Sequence, residues 1–165
     1  MDDLEHRSCP PCTLFSAIQA LWNFKRMDKN VVKQRWDKAV VLVDHAMACA
    51  EKQVIERRRF LFEHPASATS WGLPSVVRVS SLPGVQSVVF DQCLMGLCSK
   101  EHKTPIRKRT RLLTNCPNVI VKFKGLICKH QHYHQVLEGV EGGVKRNKWA
   151  QRYPAPLVDA FLCCV

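Results

Sequence analysis

Two stretches of this sequence carry side chains whose types and spacing could do chemistry. The first is Ser8-Cys9-Pro10-Pro11-Cys12-Thr13-Leu14-Phe15-Ser16. Its prolines fix φ and remove backbone donors, so it reads as a rigid loop. It delivers Cys12 to the mouth of a helical apolar pattern over 16–26, where the helix dipole and free amides would favour a nucleophilic thiolate. Cys9 and Cys12 also have the spacing of a redox pair, but such pairs follow an apolar strand, and residues 1–8 are polar. The second stretch is Cys128-Lys129-His130-Gln131-His132-Tyr133-His134. Zinc would suit Cys128, His132 and His134, with Cys116, Cys98 or Cys93 as a fourth ligand. The plainer alternative is a polar loop with solvated histidines.

Positive charge is the third feature. Lys100, Lys103, Arg107, Lys108, Arg109 and Arg111 form one basic run, and Lys145, Arg146 and Lys148 lead into Trp149. Such side chains neutralise phosphates without reading sequence, and Trp149 could stack on a base. A solvated surface, with Trp149 as a core anchor, is the alternative. Net charge is +11. Residues 1–64 carry 11 basic and 9 acidic side chains, and residues 65–165 carry 14 and 5, so nearly all the excess lies in the second part. A basic half of this kind points to an anionic partner such as nucleic acid.

The Pro-Pro-Cys-x-x-Phe-Ser pattern over Pro10–Ser16 resembles the catalytic loop of DNA (cytosine-5) methyltransferases. In the same order, Glu63-His64-Pro65 resembles their Glu-Asn-Val, and Arg107-x-Arg109-x-Arg111 their Gln-x-Arg-x-Arg. From Cys9 to about Phe161 the chain is similar to the methyltransferase-like segment of some retroelement polyproteins. Phe62 to Trp71, Asp91-Gln92-Cys93-Leu94-Met95-Gly96-Leu97 and Leu112-Leu113-Thr114-Asn115 carry that likeness. The resemblance implies catalytic roles for Cys12, Glu63, Arg109 and Arg111, with S-adenosylmethionine as cofactor. A thiolate would add to carbon 6 of a flipped cytosine while a carboxylic acid and a cation stabilise the ring. Thr13, His64-Pro65 and Arg107 depart from the family pattern. Only 11 residues precede Cys12, leaving no room for the Gly-rich cofactor turn, and Met1 to Arg7 are too polar to replace the strand that should deliver the loop. The expectation is a truncated domain, inactive alone, whose cofactor-binding half is missing or supplied by another chain. A basic nucleic-acid-binding module, clipped by zinc, is the alternative.

The elements that must position these groups follow from periodicity. Between Asp28 and Arg59, Trp36, Val40, Val43, Met47, Ala50 and Val54 recur at helical spacing, predicting a long helix over 29–58 whose apolar face Val41 and Leu42 broaden. Cations Arg57-Arg58-Arg59 close it. Short apolar runs predict strands at 59–63, 85–91 and 109–114. Shorter helices are predicted over 73–81, 117–124 and 154–162, and 125–152 reads as irregular. Alternating helices and strands mean an α/β fold, which the resemblance makes a partial Rossmann-like methyltransferase sheet, with one sheet edge and one helix face exposed. A single domain over 1–165 fits the length, with 1–8 a polar tail. No apolar run approaches the roughly 20 residues of a membrane span. Nine cysteines without a signal sequence suggest reduced thiols and an intracellular setting, nuclear or cytoplasmic.

Overall fold

The computed structural model describes residues 6–8, 12–16 and 24–163. At its centre is a mixed sheet of β1 (His6–Ser8), β2 (Phe60–Pro65), β3 (Gln86–Asp91) and β4 (Arg109–Thr114), in spatial order β1-β2-β4-β3. β1 runs parallel to β2, with His6 opposite Phe60 and Ser8 opposite Phe62. β4 lies antiparallel between β2 and β3, with Glu63 opposite Leu112 and Asp91 opposite Arg109. The long helix α1 (Lys29–Ile55) lies in the crossover from β1 to β2, the connection that parallel neighbours require.

Asp28 starts α1 by accepting hydrogen bonds from the amides of Asn30 and Val31 at 2.8 and 3.2 Å, a cap worth about 1 kcal/mol. Ala39, Val43, Ala46, Met47 and Ala50 are buried along one stripe. With α2 (Pro74–Ser80), that stripe covers the sheet face formed by Phe60, Phe62 and Leu113. The opposite face, formed by Leu61, Val88, Phe90 and Leu112, is covered by α3 (Pro117–Phe123) and α5 (Ala155–Cys163) through Val119, Phe123, Leu157 and Phe161. The result is a three-layer α/β sandwich whose strands alternate side chains between two dry cores.

The three expected strands and the long helix are present, with shifted ends. α1 stops at Ile55 rather than 58 because Arg57 turns left-handed, at φ 56°, and the amides of Arg57 and Arg58 bond back to Val54 and Gln53. Val41 and Leu42 do not broaden the core face: they are 65% and 49% exposed. At about 100° per residue they sit roughly 200° and 100° around the helix from Val43. The residues before the cysteine loop are also not a plain polar tail. His6–Ser8 form a strand, because an edge pairing rests on main-chain hydrogen bonds and does not require an apolar alternation. The expected helix over 16–26 falls mostly outside the described residues; Phe24–Arg26 form a single 3-10 turn.

The stretch 125–152 is more ordered than its composition suggests. It contains a two-stranded antiparallel ribbon, β5 (Val140–Glu141) and β6 (Val144–Lys145), followed by the short helix α4 (Arg146–Trp149). Trp149 is the anchor here: half-buried, it packs with the cluster of Leu97, Ile106 and Ala150, and its indole donates to the Cys98 carbonyl at 2.9 Å. Among the described residues no helix is long and apolar enough to cross a membrane.

Candidate metal centre and the Cys12 loop

The motifs singled out in the sequence have local structural jobs. Phe15 is fully buried against Trp36 and His64, its ring centroid 5.0 and 5.8 Å from theirs, and so pins the loop that carries Cys12 onto α1 and β2. His64 is fully buried, with Nδ1 2.6 Å from Ser70 Oγ, while the Trp71 indole donates to the Pro65 carbonyl at 2.7 Å. Asn115 accepts from the Phe60 amide and donates to the Arg58 carbonyl, fixing where β2 begins. These bonds give the 62–71 and 112–115 stretches a reason for their composition in the fold itself.

Cys12 is half-buried and near both Glu63 and Lys108, whose charges act on it in opposite directions. Burial pushes its thiol above the ordinary cysteine value; Lys108 pulls it down and Glu63 pushes it further up. The lowered pKa expected at a helix N-terminus is therefore reversed. Cys12 precedes only the three-residue 3-10 turn Thr13–Phe15, too short to build an appreciable dipole, so desolvation wins. Cys9, the other half of the redox spacing, lies outside the described residues.

Glu63 is buried, accepts from the Tyr153 hydroxyl at 2.7 Å and has Lys108 Nζ at 3.9 Å. Lys108 also lies over the Tyr153 ring, 5.6 Å from its centroid. The structure thus brings Cys12, Glu63, Lys108 and Tyr153 together but not Arg109 or Arg111. Strand alternation explains this: Lys108 and Leu112 share the sheet face of Glu63, and Arg109 and Arg111 point the other way. Arg111 stacks on Trp71, its guanidinium 4.5 Å from the ring centre. Arg109 grips Asp91 with two hydrogen bonds of 2.9 and 2.8 Å, and Arg107 Nε approaches the same carboxylate at 3.5 Å.

Asp91 ties that arginine pair to the second motif. Fully buried at the end of β3, it also accepts from the Cys128 amide at 2.9 Å. Burial alone would raise its carboxyl pKa, but the Arg109 and Cys128 hydrogen bonds and the two guanidinium charges together hold it below the usual carboxylate range. Cys128 Sγ is 3.6 Å from His132 Nε2 and 3.4 Å from His134 Nε2. Cys93, on the 3-10 turn Gln92–Met95 that follows β3, completes the group, and one donor atom from each of the four residues lies within 4.8 Å of every other. This cluster could hold a zinc ion. Cys93 is pushed up to about 11 by burial first and then by Cys128 and Asp91, while burial and the neighbouring His132, His130 and Arg107 keep His134 below the usual histidine value.

Of the three cysteines open as a fourth ligand, Cys93 is the one in place. Cys116, the N-cap residue at which α3 begins, is buried in the second core, and Cys98 pairs with Pro105 in an isolated β-bridge. His130 is engaged elsewhere, accepting from Arg107 Nη1 at 2.7 Å. The partners missed in the sequence were Lys108, Tyr153 and Asp91. The period-2 alternation of β4 was signal enough to place Lys108 with Glu63; nothing in the sequence tied Tyr153 to Glu63, 90 residues away.

The basic residues divide into two sets. Arg107 and Arg109 face Asp91, Lys108 faces Glu63, and Arg146 Nε lies 3.5 Å from the buried Glu141. Lys103, Lys145 and Lys148 are exposed and make no ion pair among the described residues. Comparison with family models, curated proteins and solved structures finds no match to this chain.

Proposed function

We propose that this chain is a methyltransferase-like domain of the kind found in retroelement polyproteins, catalytically silent by itself, that binds nucleic acid through its exposed lysines. The observation that carries the binding reading is the division of charge. The buried acids Asp91, Glu63 and Glu141 engage the inward-facing cations. Lys100, Lys103, Lys122, Lys124, Lys145 and Lys148 stay in water without an acidic partner among the described residues. Uncompensated ammonium groups of this kind attract phosphate and release its counterions.

The silence rests on the Cys12 loop. A thiol held above its ordinary pKa is a poor nucleophile at neutral pH, and the arginines of the Arg-x-Arg-x-Arg run stand on the sheet face away from Glu63. Lys108 is the cation within reach. The parallel strands β1 and β2 still direct their carboxyl ends toward Cys12 and Glu63, the usual place for a ligand in an open α/β sheet. Val31 and Leu42, 40% and 49% exposed on one face of α1, are apolar surface that a cofactor-binding half from another chain would cover.

Two measurements test this reading. Fluorescence anisotropy with a labelled duplex should give affinity that falls linearly with log salt. Replacing Lys145 and Lys148 by Ala should flatten that slope by roughly 0.9 for each phosphate no longer neutralised. No binding at low salt would sink the nucleic-acid reading. Labelled S-adenosylmethionine should not bind, and a cytosine-analogue duplex should not be trapped covalently. Cofactor binding with trapping that disappears in Cys12→Ser would overturn the silence.

A further inference from the structure

We propose that Cys93 Sγ, Cys128 Sγ, His132 Nε2 and His134 Nε2 bind one zinc ion in a closed tetrahedral site that clips the loop 126–135 onto the end of the antiparallel sheet. Such a site depends neither on nucleic-acid binding nor on the fate of Cys12.

The geometry carries it. Zinc–sulfur bonds of about 2.3 Å and zinc–nitrogen bonds of about 2.0–2.1 Å, opened to a tetrahedral angle, separate sulfur from nitrogen by about 3.6 Å. The two sulfur–nitrogen separations at Cys128 are 3.6 and 3.4 Å. All four donor atoms lie within 4.8 Å of one another, so closing on an ion takes only small side-chain rotations. A hydrogen-bonded loop would account for Cys128 meeting one histidine 4 or 6 residues on. It would not account for Cys93, which comes from the far side of the sheet connection, 35 positions earlier, and brings a second thiol to the same point.

The donor set selects the metal. Two thiolates and two imidazoles in a tetrahedron suit zinc, and four protein donors leave no open position for a catalytic water, so the site is structural. Binding displaces the two thiol protons to solvent, and the ion with two thiolates and two neutral imidazoles carries no net charge. A neutral centre suits its setting beside the buried Asp91 carboxylate, whose charge Arg107 and Arg109 already balance. Asp91 acts as the positioning residue. Its carboxylate accepts the Cys128 amide, and its own backbone amide donates to the Leu126 carbonyl at 2.9 Å, so the chain is tied to β3 on both sides of Ile127.

The segment needs such a clip. Residues 126–135 form no helix or strand, and at their far end the Gln135 amide donates to the Pro105 carbonyl at 2.8 Å. Leu126 packs on the second core at the start of the loop, but beyond it Ile127 and Tyr133 are exposed at 39% and 75%, so little apolar burial holds the rest. A metal ion supplies the missing cross-link between β3 and a segment that lacks a core of its own.

The test is metal content of the whole chain purified without chelator, followed by cobalt replacement. We expect one zinc per chain. The cobalt form should show the intense visible bands of a tetrahedral site and thiolate charge-transfer absorption of two sulfurs. Cys93→Ser should lose about half of that charge transfer and weaken zinc binding more than about 100-fold, since losing even an outer partner of a ligand costs 10–100-fold. Cys98→Ser and Cys116→Ser should keep the full spectrum. Wild-type protein that takes up no zinc, or a Cys93→Ser variant with unchanged zinc content and unchanged charge transfer, would overturn the assignment. The wild-type cobalt spectrum counts the thiolates by itself, so a variant that fails to fold does not leave the proposal untested: a one-sulfur or octahedral spectrum overturns it.

Discussion

Cys12 has a carboxylate and an ammonium group for neighbours, and burial decides between them. Because the thiol sits above its ordinary value, its reactivity should appear only as pH climbs past the range in which an unstructured cysteine becomes thiolate. Lys108→Ala removes the group that pulls the pKa down and should slow alkylation further; Glu63→Gln removes one that pushes it up and should speed it. Peptide-resolved alkylation rates across a pH series would show both shifts, and saturation of Cys12 labelling below neutral pH would refute the assignment. The loop motif was legible in the sequence, but the state of its thiol was not. The Pro-Pro-Cys pattern says where a cysteine is held; it does not say that Phe15 will draw the loop against α1 and β2 or that Glu63 will lie beside it. The same limit applies to the arginines. Order along the chain suggested that Arg109 and Arg111 belong with Glu63, whereas the alternation of β4 hands that place to Lys108.

Elements were more legible than side-chain partners, because periodicity reports directly on which face is dry. The spacing of Trp36, Val43, Met47 and Ala50 identified α1 and its core stripe, yet it could not set the stripe's width. That width depends on what packs alongside, and β2 and α2 do not wrap far enough to cover Val41 or Leu42. Two substitutions separate the narrow stripe from the broader one. Met47→Ala leaves a cavity between α1 and the sheet and should cost about 2–4 kcal/mol. Val41→Lys exchanges one exposed side chain for another and should stay within about 0.5 kcal/mol. Urea unfolding gives both numbers, and a cost for Val41→Lys close to that of Met47→Ala would mean that a partner covers that face. β1 escaped a reading built on apolar alternation because a main-chain register with β2 is what specifies it. The ribbon β5–β6 escaped because its Gly142-Gly143 turn sits inside a stretch whose composition looks irregular.

At the scale of the molecule, the sandwich and the 125–152 stretch have different means of support. The sandwich rests on two apolar cores, one on each face of the sheet, and neither contains a residue of the Cys93–Cys128–His132–His134 cluster other than through the chain itself. Besides the Trp149 anchor and its small apolar cluster, the 125–152 stretch is fastened at two polar points, the proposed clip and, farther on, Glu141, whose carboxylate accepts from the Glu101 and His102 amides at 2.7 and 3.3 Å. The Glu101 amide is the largest influence on that carboxyl. With the His102 amide, Ser99 and the His102 charge it outweighs burial and holds Glu141 below the ordinary glutamate value of 4.5. A depressed carboxylate stabilises the folded form above its unfolded pKa, and that contribution is lost as pH falls through the folded value. The two fastenings should therefore fail under different conditions. Chelation at neutral pH should raise hydrogen exchange over 126–135 while α1, β2 and β4 keep their protection. Acidification through the folded value, which lies below 4.5, should release the Glu101 and His102 amides, and Glu141→Gln should make their protection insensitive to that change. If chelation instead strips protection from α1 and β4 together with the loop, the metal centre supports the core itself, and the sandwich does not stand on its two apolar layers alone.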